Sequence, residues 1–260
     1  MKDYNQTPSF YNNEEVFKKY LGRTSYYLSL QNAVAKVISL LKPKHIVELG
    51  SGTGATVNRI ASENKESEFI AVDVRDEMVK VGQNLSNEMN NKNVLFISFD
   101  MVKYINECNT LPEFIYMLYS FHHIEDPIDN KHNFLKSCFG KMDSGSRLCI
   151  AEAFLPEHTN YIDLQANLKK IWASRSFEGY ASTLWESIET FDEQGIEKAR
   201  EIGRYSYNNE WIAGELVAER DNEYLVTINW LCDTAKEIGF NIDIAEPCNN
   251  NGDYVVVLKK

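Results

Sequence analysis

One glycine-rich turn constrains this chain more than any other feature. "VELGSGTG", residues 47–54, closes a short apolar run, "HIVEL", and is followed by Thr56 to Ser62, which can start a helix. Glycines at 50, 52 and 54 let the backbone turn tightly and let a ligand approach without Cβ atoms in the way. Their GxGxG spacing differs from the GxGxxG of dinucleotide-binding units.

The rhythm around this turn sets the fold class. "EFIAVD", "NVLFISFD", "EFIYMLYS" and "RLCIAEAF" read as further strands. Between them, "RDEMVKVGQNLSNEM" carries Met78, Val81, Leu85 and Met89 on a helical stripe, and "NFLKSCFGKM" is a helix closed by "DSGS". Strands alternating with helices of this length imply right-handed crossovers and a mostly parallel sheet covered on both faces.

Both flanks of this core read differently. Residues 1–43 form a helical arm: Asn12 and Asn13 cap a first helix with Val16, Phe17, Tyr20 and Leu21 before Gly22, and a second carries Val34, Val37, Ile38 and Leu41, ended by Pro43. Residues 44–155 are the alternating core. Residues 156–219 break the alternation as a polar, helical, aromatic-rich insertion after the fifth strand. Residues 220–260 complete the core with the helix "VTINWLCDTAKEIGF", stopping at Gly239, and the strands "NIDIAEP" and "DYVVVLKK". The turn "CNNNGD" between those strands makes them antiparallel neighbours. The whole is expected to be a single domain.

A net charge of −11 over 260 residues repels phosphate-rich partners, and no dense Lys/Arg cluster offsets it. Nucleic acid is disfavoured, and a small molecule or a cationic partner is favoured. The five cysteines show no CxxC pair, and Cys149 and Cys232 lie in apolar runs as small buried residues. "MKDYNQTPSF" has no apolar signal region, and no apolar run reaches membrane-spanning length. A cytoplasmic protein is expected.

Ligands of open parallel sheets bind at the carboxyl ends of the strands. Asp73, ending the second strand, can accept both hydroxyls of an adenosine ribose. Asp100, ending the third, can accept from an exocyclic amine such as adenine N6, with Met101 against the ring. Either acid could equally cap a helix.

Together "HIVELGSGTG", "FIAVDVRDEM", "VLFISFDM", "FIYMLYSFHHIED" and "GSRLCIAEAF" resemble, in order and spacing, the successive motifs of class I S-adenosylmethionine-dependent methyltransferases. The resemblance covers roughly Lys44 to Leu155 and implies a Rossmann-like, seven-stranded, mostly parallel sheet with the last strand antiparallel. It implies that Glu48 supports the glycine loop and that Gly50, Ser51, Gly52 and Gly54 lie along the methionine part of the cofactor. Asp73 would hold the ribose, Val74 would pack on adenine, and Asp100 with Met101 would recognise its edge. Leu118 and Tyr119 would line the cofactor near its sulfonium. Glu113 departs from the Asp that many members have at the start of the fourth strand.

Methyl transfer from a sulfonium needs a nucleophile held close in a site that excludes water, and a base only where that nucleophile must lose a proton. His122 and His123 stand at the mouth of the site as candidate bases, with His123 slightly favoured. A shared metal is disfavoured, because adjacent residues of an extended segment point to opposite sides. Glu125 and Asp126 are expected to cap the loop before Pro127. Arg23 is expected to close over the cofactor's carboxylate, and Trp172, Arg175 and Tyr180 to form a substrate pocket, with packing or surface roles as their alternatives. The expected function is methyl transfer from S-adenosylmethionine, leaving S-adenosylhomocysteine, to an O or N atom of a small metabolite. The alternatives are a tRNA or protein acceptor, or a non-catalytic cofactor-binding regulator.

Overall fold

The structure is a computed structural model that describes residues 25–125, 128–159, 163, 167, 225–248 and 252–260. The expected first helix, from Asn12 to Gly22, and most of the 156–219 insertion lie outside the described residues.

The helix α1 (Ser25–Leu41) leads into β1 (His45–Leu49), α2 (Ala55–Glu63), β2 (Glu68–Asp73), α3 (Asp76–Glu88) and β3 (Val94–Ser98). The chain continues through α4 (Met101–Glu107), β4 (Phe114–Leu118), α5 (Asp129–Lys141) and β5 (Arg147–Ala153), then α6 (Ile228–Ile238), β6 (Asn241–Pro247) and β7 (Asp253–Lys259). The seven strands form one sheet in the order β3-β2-β1-β4-β5-β7-β6. All neighbouring pairs are parallel except those of β7, which runs antiparallel to both β5 and β6. Strand order reverses between β1 and β4, so the glycine loop stands at the topological switch where such sheets take ligands.

Alternate residues of each central strand feed opposite faces, as the period of two requires. Val47, Leu49, Ile115, Met117, Leu148 and Ile150 join a core built with α4, α5 and α6. Ile46, Phe114, Tyr116, Cys149 and Ala151 join a second core under α1 and α2. Burial on both sides explains why these strands read as continuous apolar runs.

Two sequence readings are corrected by the packing. Leu41 was placed on the buried stripe of α1 but is 39% exposed. The helix ends on it: Lys42, next in the chain, has φ 49, and its amide closes on the Ile38 carbonyl at 2.8 Å. Cys149 is buried as read, whereas Cys232 is only partly buried, on the flank of α6.

Candidate active site

The glycine loop is fixed from three directions. The amides of Gly50 and Ser51 both donate to the Val72 carbonyl, at 2.8 and 3.0 Å, which ties the loop to β2. The Ser120 hydroxyl donates to the Leu49 carbonyl at 2.6 Å, tying the end of β1 to the end of β4. All three glycines have positive φ, of 78, 52 and 69°. A Cβ on Gly50 would stand 2.4 Å from Ser120 Cβ, and one on Gly54 would stand 2.6 Å from the Phe96 ring and 2.9 Å from Gly82 Cα. Above Gly52, by contrast, a Cβ would meet nothing within 4 Å. That open face is where a ligand can lie against backbone.

Behind the loop, Asn58 is fully buried and donates from Nδ2 to the carbonyls of Gly54 (3.0 Å) and Gly82 (3.1 Å). Asn91 in turn donates to Asn58 Oδ1 at 3.1 Å. Sequence reasoning missed this clamp; its signal is a lone asparagine on the apolar stripe of a helix.

Asp73 stands where it was expected, at the end of β2. Its Oδ2 accepts from the Gly52 amide at 2.7 Å and its Oδ1 from the Arg75 amide at 3.0 Å. Burial pushes its titration up, and those two amides pull it back. Each oxygen keeps a lone pair for a further donor such as a ribose hydroxyl. Val74, beside it, is 44% exposed, an apolar platform open to solvent. Asp100 accepts from the Lys103 amide at 2.8 Å, so the cap reading holds for one of its oxygens. Met101 packs against the core at the start of α4. Glu113, at the opposite end of the sheet, accepts from the Lys44 amide at 2.6 Å and has no part in the site.

The polar atoms at the loop suit a polar ligand. Glu48 Oε2, Ser51 Oγ and Thr53 Oγ1 are buried with no hydrogen-bond partner among the described residues. Burial pushes the Glu48 carboxyl well above the usual carboxylate range. Tyr116 is close enough to perturb that titration, although its hydroxyl makes no geometric hydrogen bond. Unmet buried groups of this kind call for a partner. Leu118 is buried, and Tyr119 has φ 48, with its amide donating to the Ala151 carbonyl at 3.0 Å. The Tyr119 ring stacks on Tyr27 of α1 at 5.5 Å. An open glycine, unmet polar groups beside it, a carboxylate with free lone pairs and an exposed valine are groups that could hold a polar, nucleoside-bearing ligand such as S-adenosylmethionine.

The histidine segment is one turn of 3-10 helix, Phe121–His123, rather than extended as the sequence reading assumed. His122 and His123 therefore lie ring against ring, 4.1 Å apart. His122 is buried, and its Nδ1 lies 2.9 Å from Glu152 Oε1. Glu152, only 2% exposed, also accepts from the His122 amide at 3.3 Å and the Ala153 amide at 2.9 Å. His123 is exposed. Lys131 is completely buried on α5, donates to the Ile124 carbonyl and lies 5.1 Å above the Phe121 ring, holding the turn from behind. Glu152 and Lys131 escaped the sequence reading, although a carboxylate inside an otherwise apolar buried strand is costly without a partner. Glu125 is exposed. Arg23, Asp126, Pro127, Trp172, Arg175 and Tyr180 lie outside the described residues.

Residues 46–141 match the methyltransferase domain family. No curated protein matches the chain. Solved structures with the same fold include the mitomycin 7-O-methyltransferase MmcR, with a TM-score of 0.60 at 12% identity, covering 97% of this chain and 60% of that one. The CurJ carbon methyltransferase is similar with a TM-score of 0.57 at 14% identity, over 94% of this chain and 58% of its own. The plantazolicin methyltransferase BpumL in complex with SAH is similar with a TM-score of 0.56 at 12% identity, over 96% and 90%. The chain thus spans less than two thirds of the first two.

Proposed function

We propose that the chain, whose residues 46–141 match the methyltransferase domain family, moves a methyl group from S-adenosylmethionine to an O or N atom of a small cytoplasmic metabolite, with His122 as its base. The observation that carries this reading is the Glu152–His122 pair at 2.9 Å, beyond the carboxyl end of β4. A carboxylate on Nδ1 fixes the ring and its tautomer and leaves Nε2 as the accepting nitrogen. An acceptor hydroxyl or ammonium can give its proton to Nε2, and Glu152 stabilises the imidazolium that results. The buried pair with Glu152 supports His122 rather than the exposed His123 as the base.

Bound S-adenosylmethionine supplies the electrophilic methyl on its sulfonium. The chain's own residues hold and orient. Asp73 takes the ribose hydroxyls, Val74 carries the adenine, and Asp100 with Met101 meets its edge. Gly50, Ser51, Gly52 and Gly54 lie along the methionine part with Glu48 behind them, and Leu118 and Tyr119 flank the sulfonium. In-line displacement needs the acceptor atom at about 3–3.5 Å from the methyl, in a space free of water. Tyr27 stacked on Tyr119 covers one side of that space. Arg23 and the aromatic pocket of Trp172, Arg175 and Tyr180 remain proposals for cofactor closure and acceptor choice. The net charge of −11 supports a small acceptor over a nucleic acid. No described helix is long and apolar enough to cross a membrane.

The test pairs binding with turnover. S-adenosylhomocysteine is titrated into the protein and into Asp73→Ala, and transfer of labelled methyl is followed across panels of hydroxylated and amine metabolites. Tight binding lost in Asp73→Ala, with turnover of at least one small acceptor, is the expected result. Binding without turnover on any acceptor would make the protein a cofactor-binding regulator, and strongly salt-dependent affinity for RNA would favour a tRNA acceptor.

A further inference from the structure

Two carboxyl groups stand at the glycine loop, and the protein treats them differently. Asp73 is met by two backbone amides, Gly52 and Arg75, and is equipped to hold a negative charge. Glu48 is 2% exposed, and its Oε2 has no hydrogen-bond partner among the described residues. No Lys, Arg or His among those residues forms an ion pair with it. The groups facing it are the phenols of Tyr116 on β4 and Tyr27 on α1, the Asp73 carboxylate on β2, and the Val57 amide in the first turn of α2. One amide and two neutral phenols are poor support for a buried anion, and Asp73 opposes it. The loop that Glu48 underlies is also the place proposed for the methionine end of the cofactor, which carries a sulfonium and an ammonium.

We propose that Glu48 keeps its proton in the cofactor-free protein and gives it to solvent when the cationic methionine end seats on the glycine loop, so that cofactor binding releases a proton. The O–H bond of the carboxyl breaks, the proton passes to buffer, and the carboxylate left behind faces the incoming positive charge. The inference rests on the cofactor reading above and adds to it a proton linkage. It also gives a reason for the loop's unmet polar atoms: the site is built for a charge that arrives with the ligand. The direction of the Glu48 shift agrees, burial being its largest cause and Asp73 adding to it.

The sign of the pH dependence follows. The complex holds fewer protons than its separated parts, so affinity rises with pH up to the folded-state titration of Glu48, by about tenfold per unit at most. A cofactor ammonium that must be protonated gives the opposite slope, and only as pH approaches its own range of about 7.7–8.0. The window between about pH 5.5 and 7 lies below the ammonium's range; imidazoles ordinarily titrate inside it, so the comparison with Glu48→Gln, in which both histidines are unchanged, assigns the proton to the carboxyl.

Isothermal titration of S-adenosylmethionine into the full chain, in two buffers of different ionisation enthalpy, counts the protons exchanged. Release of up to roughly one proton per cofactor is expected from the wild type in this window, and none from Glu48→Gln. No net release from the wild type, or equal release from Glu48→Gln, would overturn the proposal. Should Glu48→Gln fail to fold, affinity is followed against pH in the protein carrying His122→Ala and His123→Ala, a flat profile there being refutation. Absence of any binding, checked by equilibrium dialysis, would instead remove the cofactor reading and the inference with it.

Discussion

Placing alanine at Gly52 and at Gly54 separates what the glycine loop does for the fold from what it does for the ligand. Both positions have positive φ, 52 and 69°, so each substitution carries a backbone cost of about 1–2 kcal/mol. At Gly52 that is the whole cost, because the new Cβ meets nothing within 4 Å. At Gly54 the Cβ meets the Phe96 ring at 2.6 Å and the Gly82 backbone at 2.9 Å, and relief requires α2 and α3 to part. Overpacking of this kind adds about 1–3 kcal/mol, for a total of about 2–5 against a typical domain stability of 5–15. Urea denaturation at unchanged m-value should find Gly54→Ala much less stable and Gly52→Ala only slightly so. Titration with S-adenosylhomocysteine should show the reverse order of specificity. The folded Gly52→Ala variant should lose about tenfold or more in affinity, some 1.4 kcal/mol, because its methyl fills the open face. Unchanged affinity in Gly52→Ala would mean that the ligand does not lie over this glycine, and the site assignment would fail.

Other variants address the base and the scaffold. His122→Ala should lose about 10²–10⁴-fold in kcat while retaining cofactor affinity, whereas His123→Ala should keep most of its turnover; steady-state kinetics with the acceptor found above compares them. Glu152→Gln keeps the shape but removes the charge that stabilises the imidazolium. The acid limb of its pH–rate profile should move to lower pH, and an unmoved limb would detach Glu152 from the chemistry. Asn58→Leu, close in volume, should cost about 1–3 kcal/mol in denaturant unfolding through the unpaired carbonyl of Gly82 and the partner lost to Asn91.

What the sequence disclosed and what it withheld divide along contact distance. "HIVEL", "EFIAVD" and "NIDIAEP" mark β1, β2 and β6 to the residue, because a short strand bounded by turn residues is a local signal whether it is buried, as β1 and most of β2 are, or an exposed edge, as β6 is. Glycine spacing and the acid at the end of β2 are equally local, and they placed the loop and Asp73 correctly. The His122–Glu152 pair joins the turn after β4 to β5, brought near by the Leu118–Ala151 register, and nothing in either segment alone announces it. Lys131 is a similar case: it occupies a helical position that reads as solvated, yet its amine is consumed by the carbonyl of Ile124. The orientation of the two histidines was hidden for a different reason: the segment read as extended, whereas one tight 3-10 turn buries His122 and leaves His123 exposed.

The Ser120 hydroxyl on the Leu49 carbonyl, with Gly50 packed against the same serine, has a consequence for how such a protein can diversify. It joins the glycine loop and the histidine turn into one platform. Neither strand end can shift to suit a larger or differently shaped acceptor without breaking the other. Adaptation to new acceptors must then come from outside this weld. Exchange of other segments between relatives, with the platform left intact, is the conservative route to an altered specificity.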